Sequence, residues 1–341
     1  MRILSLCLGL SLASFAFAAD TVPQYQLTHS YLLGGEEGWD YLNFDAVGHR
    51  LFVSRGSKIQ VVDPDTDKLL GEITGLQGAH GAALAPELGK GFTSNGRGND
   101  VTVFDLKTLK TTNTIKLSGQ GPDAFAYDPV TKRVFFFNGH SGNASVVDAV
   151  AEKEIAVIPL PGRPEFAVVD GEGRVYVNIE SKSELSEIDA AKAVVTKTWS
   201  LAPCESPSGL AMDPVHRRLF SGCDNKLMAV SDPDAGKVVA TFPIGEGVDA
   251  TGFDPGTELA FSSNGEGTLT VAHEDSPDKY TVLQQAPTRK YARTMTLDSK
   301  SHEVYLVTAD VKIDPPVTEG QRPKRTVLPD SFTVLVMAPK P

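Results

Sequence analysis

The chain has 341 residues, 22% of them charged, and a formal net charge of −11. An acidic balance of that size argues against wholesale binding of nucleic acid or an anionic membrane, both of which need a basic face, and leaves room for a local basic patch. Three cysteines, one of them at position 7, exclude a thiolate-rich metal cluster, and no Cys-x-x-Cys-His haem attachment is present.

From the N-terminus, Met1-Arg2 is followed by an apolar run from Ile3 to Phe15 and by Ala16-Phe17-Ala18, the small-x-small pattern of a signal-peptidase site. Residues 1–19 are predicted to be a secretory signal peptide, with an apolar core too short to stay behind as a membrane anchor. The protein is expected in the periplasm or secreted, monomeric and not inserted in a membrane, with residues 20–341 as one domain. Cys204 and Cys223, the two cysteines beyond the signal, then face an oxidising compartment in which they can pair.

The next element, Tyr25 to Leu33 (YQLTHSYLL), reads as a lone strand. Beyond it the chain becomes periodic. One phrase (an apolar stretch, usually an Asp, a polar turn, then a strand) occurs seven times: NFDAVGHRLFVSR, ALAPELGKGFTSN, AYDPVTKRVFFFN, VVDGEGRVYVNIE, AMDPVHRRLFSGC, GFDPGTELAFSSN and TLDSKSHEVYLVT. Its anchors are Asp45, Ala85, Asp128, Asp170, Asp213, Asp254 and Asp298, spaced 40 to 44 residues apart. Behind them come a second phrase, such as VTVFDLKTLK or ASVVDAVAEK, and a third, such as KVVATFPIG. Short segments rich in β-branched and aromatic residues, cut by Gly, Pro, Asp and Asn, are strands with turn punctuation. Four of them per repeat of about 42 residues make the blade of a β-propeller. The predicted fold is therefore all-β: a seven-bladed β-propeller of four-stranded antiparallel blades. The last repeat ends at FTVLVM without a fourth strand. The N-terminal strand is predicted to complete it, which leaves no open gap between the chain ends.

Phrases such as DPVTKRVFFFN and NKLMAVSDPDAGKVVATFPIGEGVDATGFDP resemble the YVTN-type repeat of the YncE-like family of exported bacterial propellers. The resemblance runs through all seven repeats. It implies the fold and an exported location. It implies no reaction, because propellers host many unrelated activities and the family brings no catalytic motif to transfer.

The segment leading into each inner strand and the loop between the second and third strands open on one face, where a functional site is expected. Five residues before each anchor stand Asp40, His80, Asp123, Glu165, Ser208, Asp249 and Arg293, with Trp39 beside the first. Superposed repeats would gather four carboxylates and an imidazole at the channel mouth, where they repel unless a cation sits among them. Three readings stay open. A divalent ion could be held by Asp40, His80, Asp123, Glu165 and Asp249, since carboxylate and imidazole suit Ca²⁺, Mg²⁺, Mn²⁺ or Zn²⁺. A cationic ligand could take the same place. Alternatively Arg293 is the counter-ion of a ring that only hydrogen-bonds neighbouring blades. In the loops between second and third strands, Arg97 (SNGRGND) and His140 (NGHSGN) stand out against residues that turn chemistry explains. The remaining histidines, His29, His49, His216, His273 and His302, have no metal-ligand spacing and read as surface residues.

The last repeat carries a Pro-rich insertion of about 21 residues between its second and third strands, within 310–331. It reads as an extended, structureless loop with Lys312, Arg322, Lys324 and Arg325 on the acidic face: a lid, a docking peptide or a solvated loop. Cys204 and Cys223 flank one hairpin at the same end, and a bond between them needs Cα atoms within about 7 Å.

No Gly-x-Ser-x-Gly elbow, phosphate loop or Gly-x-Gly-x-x-Gly is present, so the catalytic residues are unknown. The first functional reading is a scaffold that binds a small ligand or a protein partner at the channel mouth. The second is a metal-dependent lactonase, hydrolase or lyase working through metal-bound water or a carboxylate–histidine pair. The third is single-stranded nucleic-acid binding, against which the net charge counts.

Overall fold

The structure is a computed structural model that describes residues 23–315 and 324–340. The predicted signal peptide lies outside these residues, as does Arg322. Each repeat folds in its phrase order. The apolar stretch before an anchor is an inner strand, and the chain turns at the anchor. These inner strands are Leu42–Asp45, the second half of Leu69–Ala85, Pro122–Asp128, Pro164–Val169, Pro207–Asp213, Val248–Asp254 and Met295–Asp298. The anchor carboxylates hold the turns by accepting backbone amides two to four residues on, as Asp213 does from Val215 and His216 at 2.8 and 2.9 Å. Asp45, Asp128, Asp170, Asp254 and Asp298 do the same. Where Ala85 lacks a carboxylate, a short 3-10 turn, Pro86–Leu88, carries the chain round instead.

Behind each inner strand the chain meanders outward. Five sheets are four-stranded and antiparallel. A seven-stranded sheet comprises two such units that share Leu69–Ala85, the outer strand of one and the inner strand of the next. Two separate strands are expected there from the sequence. The ladder is continuous because Gly75 and Gly78 take φ of +80° and +72°, open to glycine at no steric cost. Ala79 thereby pairs with Gly56 on one side and Asn95 on the other. The inner strands touch one another in a closed ring, the last against the first. This is the radial arrangement of a β-propeller.

Burial follows from that stacking. Sheets packed face to face cover their middle strands on both sides, so Arg133–Asn138 (RVFFFN) is buried continuously from Val134 onward. The outer strand Lys153–Pro159 keeps only one residue fully buried. The chain ends close on each other as expected: Tyr25–Leu32 pairs antiparallel with Thr333–Pro339, from Tyr25 opposite Pro339 to Leu32 opposite Thr333. Tyr25 fixes this strand by setting its ring edge-on to Phe261 at 5.0 Å and donating its hydroxyl to the His302 carbonyl at 2.9 Å.

The insertion differs from the structureless loop expected. Val311–Asp314 pairs with Lys324–Val327 as a two-stranded hairpin, in keeping with the β-branched Val311, Ile313, Thr326 and Val327 on its arms. Cys204 and Cys223 form a disulfide with Cα atoms 5.5 Å apart. Among the described residues no helix is long and apolar enough to cross a membrane.

Candidate functional site at the channel mouth

The ring residues stand at the starts of the inner strands, and the closed ring turns them toward one axis. His80 is the hinge of the cluster. Its Nδ1 lies 2.6 Å from Asp40 Oδ2 and 3.1 Å from Asp123 Oδ1. Burial opposes a charged imidazole, but the Asp40 hydrogen bond and the Asp123 charge outweigh it and raise His80 to about 9. At neutral pH it is an imidazolium bridging two carboxylates.

The rest of the ring pairs off differently. Asp249 meets Arg293 at 3.2 Å and accepts the Ser208 hydroxyl at 3.1 Å. Glu165 lies 3.4 Å from Arg163, whose guanidinium also pairs with Glu180. Of the ring residues, Asp40, His80 and Asp123 bring ligand atoms within 4.8 Å of one another, and the others do not join them. The five-residue ligand set expected from the sequence is therefore reduced to three, since Glu165 and Asp249 are drawn off by arginines. Even so, the mouth holds more acid than its cations balance. Burial, reinforced by neighbouring carboxylates, raises Glu165 to about 8. It raises Asp123 and Asp249 to about 6, against the pull of His80 and Arg293.

The floor of the mouth comes from a residue that the repeat pattern did not single out. Tyr41 follows Asp40 directly and packs against Phe166, ring centroids 4.4 Å apart and planes tilted by 34°, and against Phe125 at 5.3 Å. Tyr41 and Phe166 belong to blades that are not neighbours, so their contact crosses the axis. A signal was available. The position after each ring residue reads Tyr41, Gly81, Ala124, Phe166, Gly209, Ala250 and Thr294, two aromatics among residues small enough to leave them room. The Tyr41 hydroxyl is buried and has no hydrogen-bond partner in the protein. Burial pushes it up, and the charges of Asp123, Glu165, Asp40 and Asp249 push it further. The charges of all four carboxylates thus act on this one hydroxyl.

Around this basin the face is clefted. Trp39, Asp40, His80, Arg55 and Arg97 line one hollow of about 500 Å³. Arg97 and His140 are exposed and share a smaller hollow with His80, Asp123, Arg163 and Glu165. Trp39 packs against Phe332 at 5.6 Å. The insertion reaches the rim: Arg325 lies over the Tyr291 ring at 5.4 Å and lines a cleft with Trp39 and Arg293, while Lys312 turns back to Asp314 at 2.9 Å. The five histidines read as surface residues are half-exposed, and each lies within 3.0 Å of a carboxylate oxygen. They pair because the repeat's turn aspartates crowd the opposite face.

No family model matches the chain. Over 89 residues, 26% of this chain, it is 33% identical to antigen Lp49 of Leptospira interrogans serogroup Icterohaemorrhagiae serovar copenhageni (strain Fiocruz L1-130), and the shared stretch covers 20% of that protein's length. Among solved structures, the chain is similar to that of U3-55K (TM-score 0.75, 9% identity, 92% of this chain and 99% of that one). It is also similar to the RRP9 WD40 repeats (0.75, 9%, 93% and 99%) and to a chain of a mitotic checkpoint complex (0.74, 12%, 96% and 99%). At such identities the likeness is one of fold: this chain is a β-propeller.

Proposed function

We propose that the protein is an exported, YncE-like, seven-bladed propeller, counting the seven-stranded sheet as two blades, that binds a cationic group at its channel mouth. The group is a small amine or a basic side chain of a protein partner. The observation that carries this reading is the crowding of four carboxyl groups around the buried, unpartnered Tyr41 hydroxyl and its Phe166 neighbour, a site in which a bound cation would stabilise the ionised forms of Glu165 and its neighbours. Acidic walls above π-faces favour an organic cation, which gains from the carboxylates and from the ring quadrupoles together.

A second reading, a metal-dependent hydrolase, draws on Asp40, His80 and Asp123, whose ligand atoms lie together. A metal there has to displace the proton that His80 holds. The two readings part in one experiment on protein purified without an affinity tag and on an Asp123→Ala/Asp249→Ala variant. Calorimetric titration with spermidine and with a lysine-rich peptide should show binding that the variant loses by at least tenfold. Stoichiometric metal lost in the variant, without amine binding, would replace this reading by the metal one. Equal amine affinity in both proteins would end it.

A further inference from the structure

The second histidine–carboxylate cluster lies on the opposite face, between the blades of Pro207–Asp213 and Val248–Asp254. His216 Nδ1 stands 2.9 Å from Asp213 Oδ2 and 3.2 Å from Glu274 Oε1. One Nδ1 proton cannot serve both acceptors, and Asp213 is the nearer. Glu274 is 2% exposed, and neither of its carboxylate oxygens has a hydrogen-bond partner in the protein. A buried, unpartnered carboxylate is costly unless something charged completes it. Burial pushes Glu274 up, and Asp213 adds to the push. Arg218, whose charge also acts on Glu274, spends its donors on Asp278 and on the carbonyls of Pro277, His216 and Arg217.

The repeat shows that Glu274 is a departure. At the corresponding end of the third strand the earlier blades carry Asp63, Asp105, Asp148, Asp189 and Asp232, and each caps its own turn by accepting two backbone amides. Glutamate's extra methylene takes the carboxylate past that turn and across to His216 of the neighbouring blade. The neighbouring residue Asp275 is occupied by His273, Thr281 and Lys279 instead. Blade six thus gives up a cap, and what it gains is a carboxylate aimed at an imidazole and a second carboxylate.

We propose that Asp213, His216 and Glu274 form a site for a first-row transition dication, Zn²⁺ above all, that staples these two blades. Their ligand atoms lie within 4.8 Å of one another, and the 2.9 and 3.2 Å separations are close to those between ligands of a four-coordinate zinc with bonds of about 2.0–2.2 Å. One imidazole among three protein ligands selects against Ca²⁺ and Mg²⁺, which take six or more oxygens. The ion takes the Nδ1 lone pair of the neutral imidazole, whose one remaining ring proton is then on Nε2. The backbone amides of Val215 and His216 already orient the Asp213 carboxylate, the kind of outer support metal ligands require.

The test uses the full chain with His80→Ala, so that the mouth cluster is dismantled, and Zn²⁺ alone as the probe. Equilibrium dialysis should give one tightly held Zn²⁺ per chain. Saturation at about 100 times the dissociation constant should raise Tm by roughly 5 °C. Adding His216→Ser, a change at a partly exposed side chain, or Glu274→Gln, an isostere that removes an unpaired buried charge, should each weaken Zn²⁺ binding at least tenfold and abolish the Tm shift. Absence of Zn²⁺ binding to the His80→Ala protein, or unchanged affinity in both double variants, overturns the proposal.

Discussion

Replacing Glu165 by glutamine tests the electrostatics of the mouth most directly. In the folded protein Glu165 is raised to about 8, first by burial and then by the Asp123, Asp249 and Asp40 charges, with Arg163 pulling the other way. A carboxyl whose folded pKa exceeds its unfolded value binds its proton more tightly in the fold, so stability is lost as pH rises from the unfolded to the folded pKa. From a free value of 4.5 to about 8, the whole shift is worth about 5 kcal/mol. Asp123 and Asp249 sit in the same field and relax when Glu165 loses its charge, so a single replacement recovers on the order of 2 kcal/mol. For a chain of this size that is roughly 4 °C in Tm. Thermal unfolding followed by circular dichroism should therefore show E165Q melting above the wild type at pH 8.5. At pH 4.5, where the wild-type side chain is itself neutral, the two should melt together. A variant that is less stable than wild type at pH 8.5, or a difference independent of pH, would refute the argument that the ring carries excess negative charge.

Two further outcomes rest on the architecture. Replacing Cys204 and Cys223 together by serine should cost about 3 kcal/mol for a loop of this length, read as a lower urea midpoint that reductant also produces in the wild type but not in the variant. Gly209→Ala should destabilise the fold by about 1–3 kcal/mol, because its Cβ would lie 2.6 Å from the Thr251 amide nitrogen and 2.8 Å from the Ala250 carbonyl carbon. These are backbone atoms of the next inner strand and cannot step aside. A neutral result in chemical denaturation would mean that the ring of inner strands is looser than these contacts require.

Much of this architecture is written in the chain order. The turn aspartates recur because each one caps a turn within a few residues of itself, an interaction decided locally. The hydrophobic runs recur because each blade must bury the same strands against the same kind of neighbour. Even the closure by Tyr25–Leu32 comes from counting strands, since one repeat lacks what the N-terminus supplies. The ring at the mouth was legible for the same reason: equal offsets from equal anchors end on one face.

What the sequence left open depends on distances between blades. Five carboxylate or imidazole residues share an offset, but only Asp40, His80 and Asp123 meet as ligands, because Arg163 and Arg293 reach in to draw Glu165 and Asp249 away. The contact of Tyr41 with Phe166 crosses the axis between blades that are not sequence neighbours, and no periodicity within a repeat can announce it. Glu274 looks like a conservative exchange for the aspartate of the other repeats until its carboxylate is seen beside His216, 58 positions earlier in the chain. Local hydrogen bonding and strand period are properties of a few consecutive residues, so the sequence determined the blades. The charge balance, the floor of the mouth and the second cluster depend on which side chains the closed ring brings face to face, and only the tertiary structure decides that.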